Sequence, residues 1–489
     1  MGKWNAFLHS WGRRGLCVIL SVFLTVSLFG CHSTEPEVED SKVLRVIMEG
    51  NAYADTNGLV WQIVDCMNRF EAEHEGYTVV VEEIPADASG RAEMLQRIRT
   101  ELMAGRGPDV LLLQNAYSDL DKLNPREPLL DDMELAMQNG LFYDISEFYD
   151  ADTELKTEEL QPVIMEAGVL DGERYVLPFR FDIPVMFVEK NRFAQTGLSE
   201  DIFQKNILEL IEYFVSMEDH ATAINFYLQW IYPQFIMNVF PRLFDYDRGS
   251  VAITQDEIEA FLRAHQAYRV RFMQATSYGE TADATSVKKY VRDGKYWTTE
   301  TDNFLLIHCL QNAVETMAIG KMKEAELAVY PLRSMDGSVV ADITFYGAVS
   351  AGSKHPELAY DFLRSFLTED YQWERNTVQN GSDWSLATYG WPVRTKGSFG
   401  EVAKSAQEAS QIVYIPQKYA IDFGVLTNED LPVEELSIDS ARFSIALEQK
   451  FWLALWTLDD INTKGPTDVD ISQLAEEWIE KLQVHIEEG

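Results

Sequence analysis

Asn51, Tyr53 and Asn115 are the first residues whose type and position suggest chemistry. Each follows a short apolar run of β type: Val43–Met48 precedes the first two and Val110–Leu113 the third. In an open α/β sheet, ligands bind beyond the carboxyl ends of such strands. A planar amide can bond two neighbouring hydroxyls, and an aromatic ring can cover an apolar face. Their positions after the two strands, in the stretches Glu49–Tyr53 and Gln114–Tyr117, place them beside a cleft. Patterns for covalent or metal chemistry are missing. The eight histidines are scattered without an HExxH pair, and there is no CxxC, G-x-S-x-G or GxxxxGK[ST]. Two carboxylates that meet only in space would leave a glycosidase open, since spacing does not reveal such a pair.

The elements that must position these residues are legible as periodicity. Val43–Met48, a helix through Leu59, Ile63, Cys66, Met67 and Phe70, a strand at Tyr77–Ile84, a helix at about 90–104 and Val110–Leu113 read as βαβαβ. Gly105, Gly107 and Pro108 end the second helix. Right-handed crossovers then give a Rossmann-like layer. Tyr175–Phe187 is extended but holds Pro178 and Pro184, so it reads as a connector rather than a central strand. Residues 200–275 are mostly helical, Gly294–Asn303 is β-rich, Phe345–Ser350 is a short strand and Pro356–Leu367 a helix. Two helices close the chain, Arg442–Asp459 and Ile471–Ile486, the second with Ile471, Leu474, Trp478, Leu482 and Ile486 on one face as a core stripe.

Composition narrows the function class. The 489 residues carry 41 Lys+Arg against 79 Asp+Glu, a net charge of −38. Nucleic-acid binding needs clustered basic residues and is disfavoured. Length alone suggests two to four domains. The first 30 residues read as a leader, with Lys3, Arg13 and Arg14 ahead of the apolar run Leu16–Phe29, too short for a spanning helix of about 20 residues. Leu28-Phe29-Gly30-Cys31 resembles a bacterial lipobox, which implies cleavage before Cys31 and lipidation of its thiol. Residues 31–41 then form a polar tether. Loss of the three basic leader residues leaves 38 against 79, a net charge of −41, which disfavours a highly anionic ligand. Cys66 and Cys309 read as small buried apolar residues, with a disulfide between them as the alternative.

Four segments together resemble the extracellular solute-binding proteins of family 1, the sugar-binding receptors of ATP-driven importers. They are Met103–Val110 (MAGRGPDV), Val176–Leu198 (VLPFRFDIPVMFVEKNRFAQTGL), Phe345–Gln372 (FYGAVSAGSKHPELAYDFLRSFLTEDYQ) and Gly390–Arg394 (GWPVR). They occur in the family's order. The chain departs from the family at Val188–Asn191, where a Tyr-Asn-Lys-like turn is usual, and residues 412–440 have no clear family equivalent.

The resemblance implies an α/β, two-lobe periplasmic-binding-protein-like fold with hinge strands and a ligand cleft between the lobes. Lobe one would comprise 42–180 plus 327–380, and lobe two 185–326 plus 385–489. It implies a receptor that does no chemistry, needs no cofactor or metal, binds a carbohydrate and hands it to permease subunits of an ABC importer. With the lipobox, it places the protein on the extracytoplasmic face of the cell membrane. It implies a ligand carboxylate at Asp182, beside Arg180, just past Pro178. It adds the polar turn Asp302–Asn303 with Phe304 as an aromatic platform, Tyr346 facing the cleft, and Trp384 and Trp391 near the last lobe crossing. The alternatives are an extracellular glycan-acting enzyme, or a sensory or adhesive lipoprotein that kept the two-lobe fold.

Overall fold

The computed structural model describes residues 42–49, 58–85, 88–114, 127–216, 224–225, 239–275, 304–310, 313–322, 324–369, 371–372, 390–395, 436–448, 450–451 and 470–488. The leader, the tether with Cys31, and residues 412–435 lie outside them.

The βαβαβ unit consists of β1 (Val43–Glu49), α1 (Gly58–Glu73), β2 (Thr78–Ile84), α2 (Ala88–Met103) and β3 (Val110–Gln114). β1 pairs in parallel with both β2 and β3. Then come α3 (Met133–Gln138), β4 (Val176–Asp182) and β5 (Pro184–Glu189), the last two separated only by Ile183. They are followed by α4 (Ile207–Ser216), β6 (Ile224–Asn225), the hairpin β7 (Phe244–Asp245) and β8 (Ser250–Val251), and α5 (Gln255–Ala275). Next are β9 (Leu305–Cys309), α6 (Ala313–Met322), β10 (Leu327–Pro331), β11 (Val340–Val349) and α7 (Pro356–Arg364). The final elements are β12 (Trp391–Pro392), β13 (Ser440–Phe443) and α8 (Ile471–Glu488).

The strands form two main sheets. The larger has the order β12–β4–β11–β3–β1–β2, with β13 along the first part of β11; the smaller has the order β10–β5–β9–β6. All five residues of β3 are buried, as suits a strand covered on both faces. Cys66 and Phe70 of α1 and Leu95, Ile98 and Leu102 of α2 recur at helical spacing and are buried in the core of this sheet. A second core forms around α4, α5 and α8, where Ile471, Trp478 and Leu482 supply the predicted stripe, with Leu474 and Ile486 packed against it. β5 serves both cores. Val185 and Phe187 enter the first and Met186 and Val188 the second, because successive strand residues point to opposite faces. Asp132 adds a polar link between the cores. Its Oδ1 caps α3, while its Oδ2 accepts from the Tyr246 hydroxyl (2.7 Å) and lies 3.1 Å from His485 Nε2.

Three readings from sequence are corrected. Tyr175–Phe187 does cross from one sheet to the other, but as paired interior strands: β4 is paired on both sides by β11 and β12, and β5 by β9 and β10. The prolines are tolerated at special positions. Pro178 lies at a register irregularity opposite Tyr346, and Pro184 opens its strand. Arg442 and Phe443 are not helical. They pair in parallel with Asp342 and Ile343 of β11, a long-range pairing that overrides helical periodicity. Phe345–Val349 is the second half of a ten-residue strand, and Ser350 lies just past its end. As for the lobe ranges, Leu327–Pro331 pairs in the smaller sheet, while Trp391–Pro392 and Ser440–Phe443 pair in the larger.

Candidate functional site

The chain leaves the larger sheet between β4 and β5 and returns between β10 and β11. The first crossing gathers buried polar groups. Asp182, at the end of β4, is 1 % exposed and opposite Asp342 of β11, which is equally buried. Its Oδ1 accepts from the Ile183 N–H (2.9 Å). Cys309, opposite Pro184 at the end of β9, bonds Asp182 through its thiol. Burial first, then the Asp182 and Asp342 charges, hold that thiol well above its usual pKa. Cys66 and Cys309 are both free and buried, so the disulfide alternative does not hold.

Arg180 lies two residues before Asp182 and is 3 % exposed. It does not pair with Asp182. Its Nη2 donates to the carbonyls of Tyr371 (3.3 Å) and Gln372 (3.1 Å). Burial pushes its pKa down to about 10.

The carboxyl ends of β1 and β3 supply two residues that were not singled out as site candidates, Glu49 and Gln114. Glu49 is buried, paired with the buried Arg91 and accepting from the Leu129 N–H (3.1 Å). Burial raises its pKa, while Arg91 pulls it down. Gln114 is 3 % exposed, and neither amide atom has a hydrogen-bond partner among the described residues. Its position closing an apolar run was the available signal, because a polar residue ending a buried strand needs a reason.

The other expected site residues fall as follows. Tyr346 is buried with its ring against Phe443 (4.7 Å between centroids), and burial and the charges of Glu49 and Asp342 hold its hydroxyl well above its usual pKa. Trp391 is buried in β12 opposite Phe181. Phe304 has no exposed surface and packs against Phe193, so it is a core residue and not a platform. Asn51, Tyr53, Asn115, Asp302, Asn303 and Trp384 lie outside the described residues.

The four quoted segments turn out to be fold-forming. Asp109 accepts from the Arg45 N–H (2.9 Å) and the Ser353 hydroxyl (2.7 Å), tying β1 to the turn before α7. Gly347 faces Leu363, whose Cδ2 would lie 2.5 Å from an added Cβ. Gln372 donates to the Phe366 and Phe179 carbonyls and accepts from the Val393 N–H. Arg394 pairs with Glu159 and donates to Leu155 and Leu367.

Comparison with known proteins places these features. The model of the bacterial extracellular solute-binding protein family matches residues 54–373. The chain belongs to that family. No curated protein sequence matches it. Among solved structures, this solute-binding protein is similar to the galacto-N-biose/lacto-N-biose I-binding protein of an ABC transporter from Bifidobacterium longum (15 % identity, TM-score 0.52, covering 91 % of this chain and 98 % of that one). It is also similar to a periplasmic oligogalacturonide-binding protein from Yersinia enterocolitica (13 % identity, TM-score 0.51, covering 91 % and 99 %). A de novo designed cysteine esterase matches comparably (13 % identity, TM-score 0.51, covering 91 % and 98 %), so the fold by itself fixes no activity. The two-lobe α/β architecture is that of the family. Among the described residues, no helix is long and apolar enough to cross a membrane.

Proposed function

We propose that this solute-binding protein is the lipid-anchored receptor of an ABC importer, that it takes a carbohydrate without chemical change, and that it delivers the ligand to the permease. The observation that carries the reading is the β4–β5 crossing, where one residue separates strands of two sheets and the buried carboxylates Asp182 and Asp342 lie opposite each other. Two structurally similar proteins are named for binding lacto-N-biose and oligogalacturonides. A ligand gripped from both sheets stabilises the closed arrangement by its differential affinity for it. The Leu28–Cys31 motif supports anchoring outside the cytoplasm. Titration of the full chain with mono- and oligosaccharides tests the reading: a binder raises the unfolding midpoint by mass action. Asp182→Ala is expected to weaken that binder tenfold or more, about 1.4 kcal/mol. An unchanged affinity in a folded variant removes Asp182 from the site.

A further inference from the structure

Arg180 is an interior cation without a counter-charge among the described residues. Buried charges are as a rule paired, because solvation lost on burial must be replaced. Here Nη2 has two backbone carbonyls, but Nη1 is buried and has no acceptor among the described residues. The guanidinium stands 5.9 Å from the Tyr371 ring centroid, at the outer limit of a cation–π contact. Gln114 is the second orphan, with both amide atoms unpartnered among the described residues. The two belong to one row of the sheet. Gln114 is opposite Phe345, and Phe345 is opposite Arg180. Adjacent strands lie about 4.8 Å apart, so the two backbones are separated by about 10 Å. The Phe345 ring packs on Phe366, and Phe366 packs on Tyr371, whose carbonyl receives Arg180. Across β11, at a register irregularity beside Phe345, the sheet therefore carries a planar cation on one neighbouring strand and an amide that can both donate and accept on the other.

We propose that Arg180, with Gln114 beside it, is an acid-recognising element of the binding site, and that the solute carries a carboxylate, as a uronic-acid-containing sugar does. The inference rests on the receptor reading above and names its ligand class. A guanidinium fork matches the two oxygens of a carboxylate. One guanidinium offsets one negative charge, and the surrounding surface, at −41 after loss of the leader, disfavours a doubly charged phosphate.

The test is calorimetric titration of the full chain with galacturonate, glucuronate, galactose and galacturonate methyl ester. The acids are expected to bind at least 30-fold more tightly than galactose or the ester, and Arg180→Gln to erase that preference. Equal affinity for galactose and galacturonate overturns the proposal, while leaving a sugar receptor standing. Binding of a non-sugar monocarboxylic acid such as lactate, lost in Arg180→Gln, supports the proposal and removes the carbohydrate reading. Failure of every acid to bind refutes it.

Discussion

Replacing Arg91 with Met tests how the carboxyl end of β1 is held. Glu49 and Arg91 are 6 % and 5 % exposed, and they pair with each other. Arg91 also donates to the Glu127 carbonyl (2.8 Å) and the Pro85 carbonyl (3.3 Å), and Glu49 accepts from the Leu129 N–H. Met keeps most of the volume and removes the charge, leaving Glu49 as an uncompensated interior anion. Breaking a buried pair from one side costs about 3–5 kcal/mol. The loss should depend on pH with a defined sign. Burial already raises the folded-state pKa of Glu49, so the folded chain binds its proton more readily than the unfolded one. Stability therefore falls as pH rises from the unfolded value towards the folded one, and removing Arg91 extends that window upward. Urea unfolding followed by tryptophan fluorescence at pH 5 and pH 8 measures both effects. Arg91→Met should be destabilised more at pH 8 than at pH 5, and Glu49→Gln combined with Arg91→Met should recover much of the loss. An equal loss at the two pH values, or one below about 1 kcal/mol, refutes the argument that the ion pair compensates a buried charge.

Gly390→Ala should destabilise the fold by about 3 kcal/mol in the same assay, since an L-residue is strained at such a dihedral. Gly390 has φ +112°, and an added Cβ would lie 2.6 Å from the Phe181 carbonyl oxygen, which the β4–β12 pairing holds in place. Neither Cys66 nor Cys309 should react with a thiol reagent at pH 8 before unfolding. Burial pushes Cys66 up to about 11 and Cys309 well above its usual value, which leaves about one thiol in a thousand ionised at Cys66. Two titratable thiols in the folded state would contradict this. Cys31→Ala should move the protein from the membrane fraction to the soluble one, as read by fractionation and immunoblot; unchanged partitioning rejects lipidation.

Much of the fold was legible because local pattern and tertiary outcome agreed. The apolar run Val110–Leu113 is a strand covered on both faces, and the Ile471–Ile486 stripe is core. The quoted segments were legible as motifs, but their physical work emerged only in three dimensions: Asp109, Gln372 and Arg394 clamp backbone groups far away in sequence. Pro178 and Arg442 misled for a shared reason, since strand membership depends on a partner that the local sequence does not contain. The site was less legible still. Phe304 has the type of a platform and the surroundings of a core residue, whereas Gln114 hid as the last residue of a buried strand. Aromatic type cannot separate stacking on a ligand from packing on Phe193.

The central claim is that this solute-binding protein takes up a carbohydrate and leaves it unaltered. Calorimetric titration of the full chain with a carbohydrate panel, followed by chromatography of the recovered ligand, tests it most directly. The account predicts saturable binding of one ligand per chain and recovery of that ligand intact. Cleaved ligand, or no carbohydrate binding across the panel, would contradict it.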